Sequence, residues 1–114
     1  MSYPALFTTP GLKAFAEAVD AERSRQLRKW ADQHHDDGTG GEFYARKAES
    51  ARRECQLAAA DPDVGARWAF ILLEEIYEAL AETDPAALRT ELIQCAAVIQ
   101  AWLADLDSRA EPQP

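Results

Sequence analysis

At 114 residues the chain is the size of a single domain, and its longest apolar run, Trp68 to Leu73, is far shorter than the ~20 residues that span a bilayer, so no membrane span is expected. The formal net charge of −8 is unevenly spread: residues 1–60 carry nine acids and nine Lys/Arg, whereas residues 61–114 carry eleven acids and three Arg. An acidic surface without a basic stripe repels phosphates and excludes duplex nucleic acid as a partner, while clustered acids attract a cation such as Mg²⁺.

Met1-Ser-Tyr-Pro-Ala-Leu-Phe has neither a basic start nor a hydrophobic stretch of signal-peptide length, which points to a cytoplasmic protein. Thr9-Pro10 is a helix-start signal. Leu12, Phe15, Ala16, Val19, Leu27 and Trp30 then recur at helical spacing, predicting a first helix from about 11 to 33. On its wheel Phe15, Val19, Glu22, Gln26, Trp30 and Gln33 share one line, so polar groups interrupt an apolar stripe. Trp30 there is either a core aromatic or a ring on which a base can stack. In the second case Gln26, Gln33 or His34 would bond the base edge and Lys29 would reach a phosphate.

Residues 34–41, His-His-Asp-Asp-Gly-Thr-Gly-Gly, are turn formers without a hydrophobic period and predict a loop. Residues 42–60 are helix-prone but weakly apolar, predicting a peripheral helix. Its Arg46, Lys47, Arg52 and Arg53 are either solvated or a lid over a polyphosphate. Asp61-Pro62 and Asp84-Pro85 each put a capping acid before a Pro at the first helical position, which predicts helices over roughly 62–82 and 85–109. Cys55 and Cys95 lie within helical patterns without zinc-ligand spacing and read as reduced, small hydrophobes. The tail Glu111-Pro-Gln-Pro is expected to be disordered. The fold class that follows is all-α: one helical bundle over residues 1–110, with the third and fourth helices as an antiparallel hairpin. Apolar residues on several faces of those two helices predict completion by oligomerisation, as a homodimer or homotetramer.

On the third helix Trp68, Ala69, Leu72, Ile76, Ala79 and Leu80 form the apolar arc, Glu75, Glu78 and Glu82 line its flank, and Glu74 points further out. On the fourth, Glu91 lies along the stripe of Leu88, Leu92, Cys95, Val98 and Trp102, where a carboxylate needs a partner. Counting outward from Asp84, Glu78 lies six residues before and Glu91 seven after, while Glu75 lies nine before and Gln94 ten after. Two levels of oxygen ligands should therefore face each other across the hairpin. Crowded carboxylates repel and raise one another's pKa, whereas a hard cation turns the repulsion into coordination; Mg²⁺ is the first choice and Mn²⁺ the second. The alternative is a solvated acidic face with Glu91 paired to an Arg.

Leu73-Glu74-Glu75-Ile76-Tyr77-Glu78-Ala79, followed by Glu91-Leu92-Ile93-Gln94, resembles the EExxE…ExxD signature of the MazG-like, all-α nucleoside triphosphate pyrophosphohydrolases. Glu22-Arg-Ser-Arg-Gln26-Leu-Arg-Lys29-Trp30-Ala-Asp-Gln33-His34 is similar to the Trp-containing segment that shapes their nucleotide pocket. The resemblance implies cleavage of a nucleoside triphosphate between its α and β phosphates, with Mg²⁺ on Glu75, Glu78 and Glu91, and it implies that the peripheral helix over 42–60 is an insertion. Gln94 takes the place of the family's aspartate; its amide oxygen can ligate a cation but supplies neither charge nor a base. Glu74 is the candidate to orient or deprotonate the attacking water. Gln26, Lys29, Trp30, Gln33 and His34 are the substrate-binding candidates.

Overall fold

The computed structural model describes residues 7–110; the expectations for residues 1–6 and for the tail 111–114 lie outside the described residues. Among those described, the chain is all-helical without strands: α1 Leu12–Trp30, α2 Glu42–Ala60, α3 Trp68–Leu80 and α4 Pro85–Ala110. No described helix is long and apolar enough to cross a membrane. The chain divides into two compact units, one holding α1 with α4 from Gln100 onward, the other running from Asp37 to Ile99.

In the first unit the chain enters α1 through Gly11, whose φ of 81° is left-handed, and the Gln100 amide donates to the Pro10 carbonyl (3.1 Å). That bond satisfies Gln100, the buried polar side chain at this end of α4. Leu12, Phe15 and Ala16 are half-buried, whereas Val19, Leu27 and Trp30 are exposed. The helix stops at Trp30 rather than near 33, because Ala31 turns out of the helix at φ 58° as its N–H closes onto the Leu27 carbonyl (2.8 Å). Beyond it the run Asp32–Asp37 offers no apolar side chain whose burial would hold another turn. Gln33 and His34 therefore lie past the helix and not on its wheel.

In the second unit α2 has the predicted bounds but not the predicted place. It packs antiparallel against α3, with Ala48, Ala51 and Ala58 buried and Cys55 half-buried at 3-4-3 spacing. Such small side chains let two helix backbones approach closely, so a stripe too weakly apolar to mark a core helix by composition still makes a tight seam.

The third helix starts six residues later than expected, at Trp68. Asp61 does not cap a helix; its Oδ1 accepts the Asp63 N–H (2.9 Å), and its carbonyl accepts from Val64 (3.2 Å) and Gly65 (2.9 Å). These bonds close a self-contained turn that Gly65 leaves at φ 75°. Asp84, by contrast, caps α4 as its sequence predicts: its Oδ2 accepts the Ala87 N–H (2.9 Å) with Pro85 at the first helical position. The four-residue connection 81–84 folds α4 back along α3, and Ala79, Leu88 and Cys95 form a buried cluster with Ile76 against it.

Gly40 anchors the Gly-rich loop by donating to the Leu80 carbonyl (2.8 Å), one of the acceptors that the end of α3 leaves open. Its φ is 91°, and a Cβ there would collide with the Thr83 methyl. Gly40→Ala is expected to destabilise the fold by roughly 2 kcal/mol, from the left-handed backbone plus the clash. Adding Thr83→Ser, which removes that methyl, should restore part of the loss in urea titrations; an unchanged unfolding midpoint for Gly40→Ala would refute this account.

Candidate metal centre

Glu75, Glu78 and Glu91 converge. Each offers a carboxylate oxygen, and these oxygens all lie within 4.8 Å of one another. Two features of the hairpin bring them together. Glu75 and Glu78, three residues apart, share one flank of α3, and the short Asp84 turn sets the first two turns of α4 beside the end of α3. All three side chains are half-buried, flanking the Ala79, Leu88 and Cys95 cluster.

The electrostatics of the group are unfavourable as it stands. Burial, and then the neighbouring charges of Glu78, Glu91 and Glu74, push the Glu75 carboxyl above its usual range. Burial, with Glu78 and Glu82, does the same to Glu91. The Cys95 thiol is pushed up by burial and by Glu75 and Glu91, so it is a protonated thiol beside carboxylates and not a thiolate ligand. Glu75 Oε2 and Glu91 Oε2 are buried without a hydrogen-bond partner. Unpaired buried carboxylate oxygens are costly, and an arrangement that leaves two of them facing a third carboxylate fits a hard cation with oxygen ligands.

The Arg that enters this neighbourhood goes to other acids than Glu91. From α2, Arg52 donates through Nη2 to Glu78 Oε1 (3.3 Å), while its Nε lies 3.9 Å from Glu74 Oε1. The Cys55 thiol lies near Glu74, and burial and then Glu74 raise its pKa. The proposed water-orienting acid is thus turned toward α2 and stands outside the three-carboxylate group. Gln94 is exposed. Arg52 also lines a cleft of about 550 Å³ between α2 and the hairpin, floored by Ala45 and Ala48 and bordered by Glu78, Glu82 and Glu91. Among the other basic residues of α2, Arg46 and Arg53 pair locally with Glu42 (3.7 Å) and Glu49 (3.4 Å), and Lys47 lies over the Phe43 ring (5.5 Å).

Arg52 is the contact that the sequence reading left unresolved among four basic residues. The signal was present in its position, four residues after Ala48 and three before Cys55, on the edge of the small-residue stripe. Recognising that stripe as a packing seam would have singled it out.

The nucleotide-pocket candidates belong to the first unit. Gln26, Trp30 and Gln33 line a hollow of about 330 Å³ together with Arg23 and His35. Trp30 is 52% exposed, which removes the core-aromatic alternative, and Lys29 Nζ sits 4.6 Å over its ring. Gln26 accepts from Arg23 (2.8 Å) and donates to Glu22 (3.3 Å). His34 does not line the hollow; its ring nitrogen lies 2.9 Å from Asp32 Oδ2, and His35 takes the place expected of it.

Compared with protein-family models, curated proteins and solved structures, the chain matches none.

Proposed function

We propose that the chain is a divalent-cation-dependent nucleoside triphosphate pyrophosphohydrolase, releasing a nucleoside monophosphate and pyrophosphate. The observation that carries the reading is the convergence of Glu75, Glu78 and Glu91, with two of their buried oxygens lacking any hydrogen-bond donor. The motif spacing that resembles the MazG-like enzymes supports the choice of substrate.

Glu75, Glu78 and Glu91 would hold the cation, Mg²⁺ before Mn²⁺. A cation held there would supply charge neutralisation for the phosphates and Lewis acidity toward water. The chain's own part is to keep three carboxylates at one point in a half-dry site, so that ligand geometry is set before substrate arrives. Glu74, which lies outside the three-acid group with its Oε1 3.9 Å from Arg52 Nε, would accept a proton from water only through an oxygen that Arg52 leaves open.

A second reading, cation or nucleotide binding without turnover, is favoured by Gln94: it is exposed, and an amide brings no fourth negative charge. The readings separate when purified protein is given a panel of NTPs and dNTPs with Mg²⁺ or Mn²⁺ and pyrophosphate is measured, beside calorimetric titration with Mn²⁺ alone. Release of pyrophosphate supports the enzyme. Mn²⁺ binding without release supports the binding module, and absence of both discards the metal centre.

The same proposal extends to a homodimer or homotetramer. On α4, Leu92, Ala96, Ile99, Leu103 and Leu106 are exposed at 4-3-4-3 spacing, the pattern with which one helix packs along another. Light scattering should give more than one chain mass at micromolar concentration, and Leu103→Glu should lower it; a monomeric wild type would refute self-association. A cytoplasmic setting completes the reading, supported by the two free thiols, Cys55 and Cys95.

A further inference from the structure

We propose that Arg52 is a resident counter-ion of the acid cluster, displaced from Glu78 when a divalent cation binds and thereby freed to hold the polyphosphate of the substrate. This rests on the metal-centre reading above and adds to it a residue on α2, outside the motif helices.

The first argument is charge. The cleft presents Glu78, Glu82 and Glu91 together with Glu49, and Arg52 is the one cation among the described residues that line it. A triphosphate entering that field is repelled unless positive charge is present, and the guanidinium is the only fixed source on those walls. The second is geometry. Arg52 reaches across from α2 to two acids one helical turn apart on α3, Glu74 and Glu78, but neither contact is the close two-pronged pairing that a guanidinium makes with a single carboxylate. Its distances of 3.3 and 3.9 Å leave the fork incompletely used. The third is access. The Arg52 side chain is 49% exposed, so its release involves little repacking, and Ala45 and Ala48 on the preceding turns keep the cleft open beside it.

A carboxylate that turns its oxygens to a divalent cation has less charge left to offer a guanidinium. Glu78 is the residue shared by the two interactions: it belongs to the three-acid group and it is the nearer partner of Arg52. Cation and Arg52 therefore compete for one carboxylate, while cation and phosphate favour each other. The guanidinium's remaining donors match the oxygens of a phosphate better than a lysine ammonium does.

Competition and phosphate binding give Arg52→Gln opposite effects in two titrations. In calorimetry with Mn²⁺ alone, removing the competing charge should tighten binding about fivefold, as expected for one unit charge a few ångströms away in a wet site. With inorganic tripolyphosphate in saturating Mg²⁺, a probe without base or sugar, affinity should fall about tenfold or more, the loss of a charge-assisted hydrogen bond. A purely structural tie between α2 and α3 would move both affinities down together, and that result overturns the proposal. Unchanged Mn²⁺ affinity overturns it as well. Should Arg52→Gln fail to fold by circular dichroism, Arg52→Lys decides: Mn²⁺ affinity should stay within about twofold of wild type because the charge is retained, while tripolyphosphate affinity drops with the loss of the fork. Equal tripolyphosphate affinity in that variant overturns the phosphate role. A wild-type protein that binds no Mn²⁺ overturns the metal centre itself, an outcome distinct from Mn²⁺ binding that is indifferent to Arg52.

Discussion

Glu78→Gln is expected to abolish pyrophosphate release and to weaken Mn²⁺ binding by at least about 100-fold, since even outer-shell changes at metal sites cost about 10- to 100-fold. The fold should survive. Glutamine keeps the shape of glutamate, and Glu78 is the charge that raises the pKa of both Glu75 and Glu91 after burial has done so. Neutralising it relieves that repulsion. Against this stands the loss of the Arg52 pair, whose partners are 49% and 24% exposed and which is worth at most about 1 kcal/mol at such a surface. The two changes oppose each other, so the cation-free melting temperature should move little. A variant that unfolds would assign Glu78 a structural role, and one that retains wild-type turnover would remove it from the metal centre.

The second large effect is a reversal of pH dependence by the cation. The Glu75 and Glu91 carboxyls have folded-state pKa values above the ordinary 4.5, so the folded protein holds protons there that the unfolded chain has already released. Their contribution to stability is fully present below pH 4.5 and is lost as pH rises through the raised values. The cation-free protein should therefore melt at falling temperatures from mildly acid pH toward neutrality. In the first unit Glu22 acts in the other direction: its hydrogen bond to Arg25 holds it down at about 2, giving a contribution present above pH 4.5 and lost in acid. That carboxylate is about half exposed, and its contribution is lost only in acid, so it is read apart from the cation-dependent change at higher pH.

Saturating Mn²⁺ binds the deprotonated acids and stabilises the native state in proportion to its occupancy, by about 2.7 kcal/mol at a hundredfold excess over Kd. The melting curves with and without cation should diverge as pH rises. Glu91→Gln should flatten the cation-free slope and close the gap between the curves. Parallel curves in the wild type would show that the cation does not meet these carboxylates.

Which parts of this were legible in the linear chain follows the range of the interactions involved. The start of α4 was readable because an Asp-Pro pair acts within three residues: Asp84 caps the N–H of Ala87 whatever surrounds it. The same dipeptide misled at Asp61, since Val64 and Gly65 offered its carbonyl nearer partners than a helix did, and α3 waited until Trp68. The end of α1 was overestimated because wheel positions continue on paper past Ala31, where the backbone has already left the helix.

The metal centre shows the same division. Helical periodicity and a minimal turn were enough to set Glu78 opposite Glu91 with Glu75 on the next level of the hairpin, because 3.6 residues per turn and a four-residue connection leave little freedom in register. Spacing alone could not say how deeply their oxygens are buried, that Glu75 Oε2 and Glu91 Oε2 have no donor, or that Gln94 faces solvent. Those properties depend on what covers the hairpin. Beside it runs α2, brought close to α3 by alanines whose small size hid them from a hydrophobic reading and whose packing carries Arg52 to Glu74 and Glu78. Local sequence thus determined an all-helical chain with its acids in register. The tertiary contact of α2 with α3 decided which acids of the hairpin, Glu74 and Glu78, meet a counter-ion, because pairing across helices is set by how closely two backbones can approach.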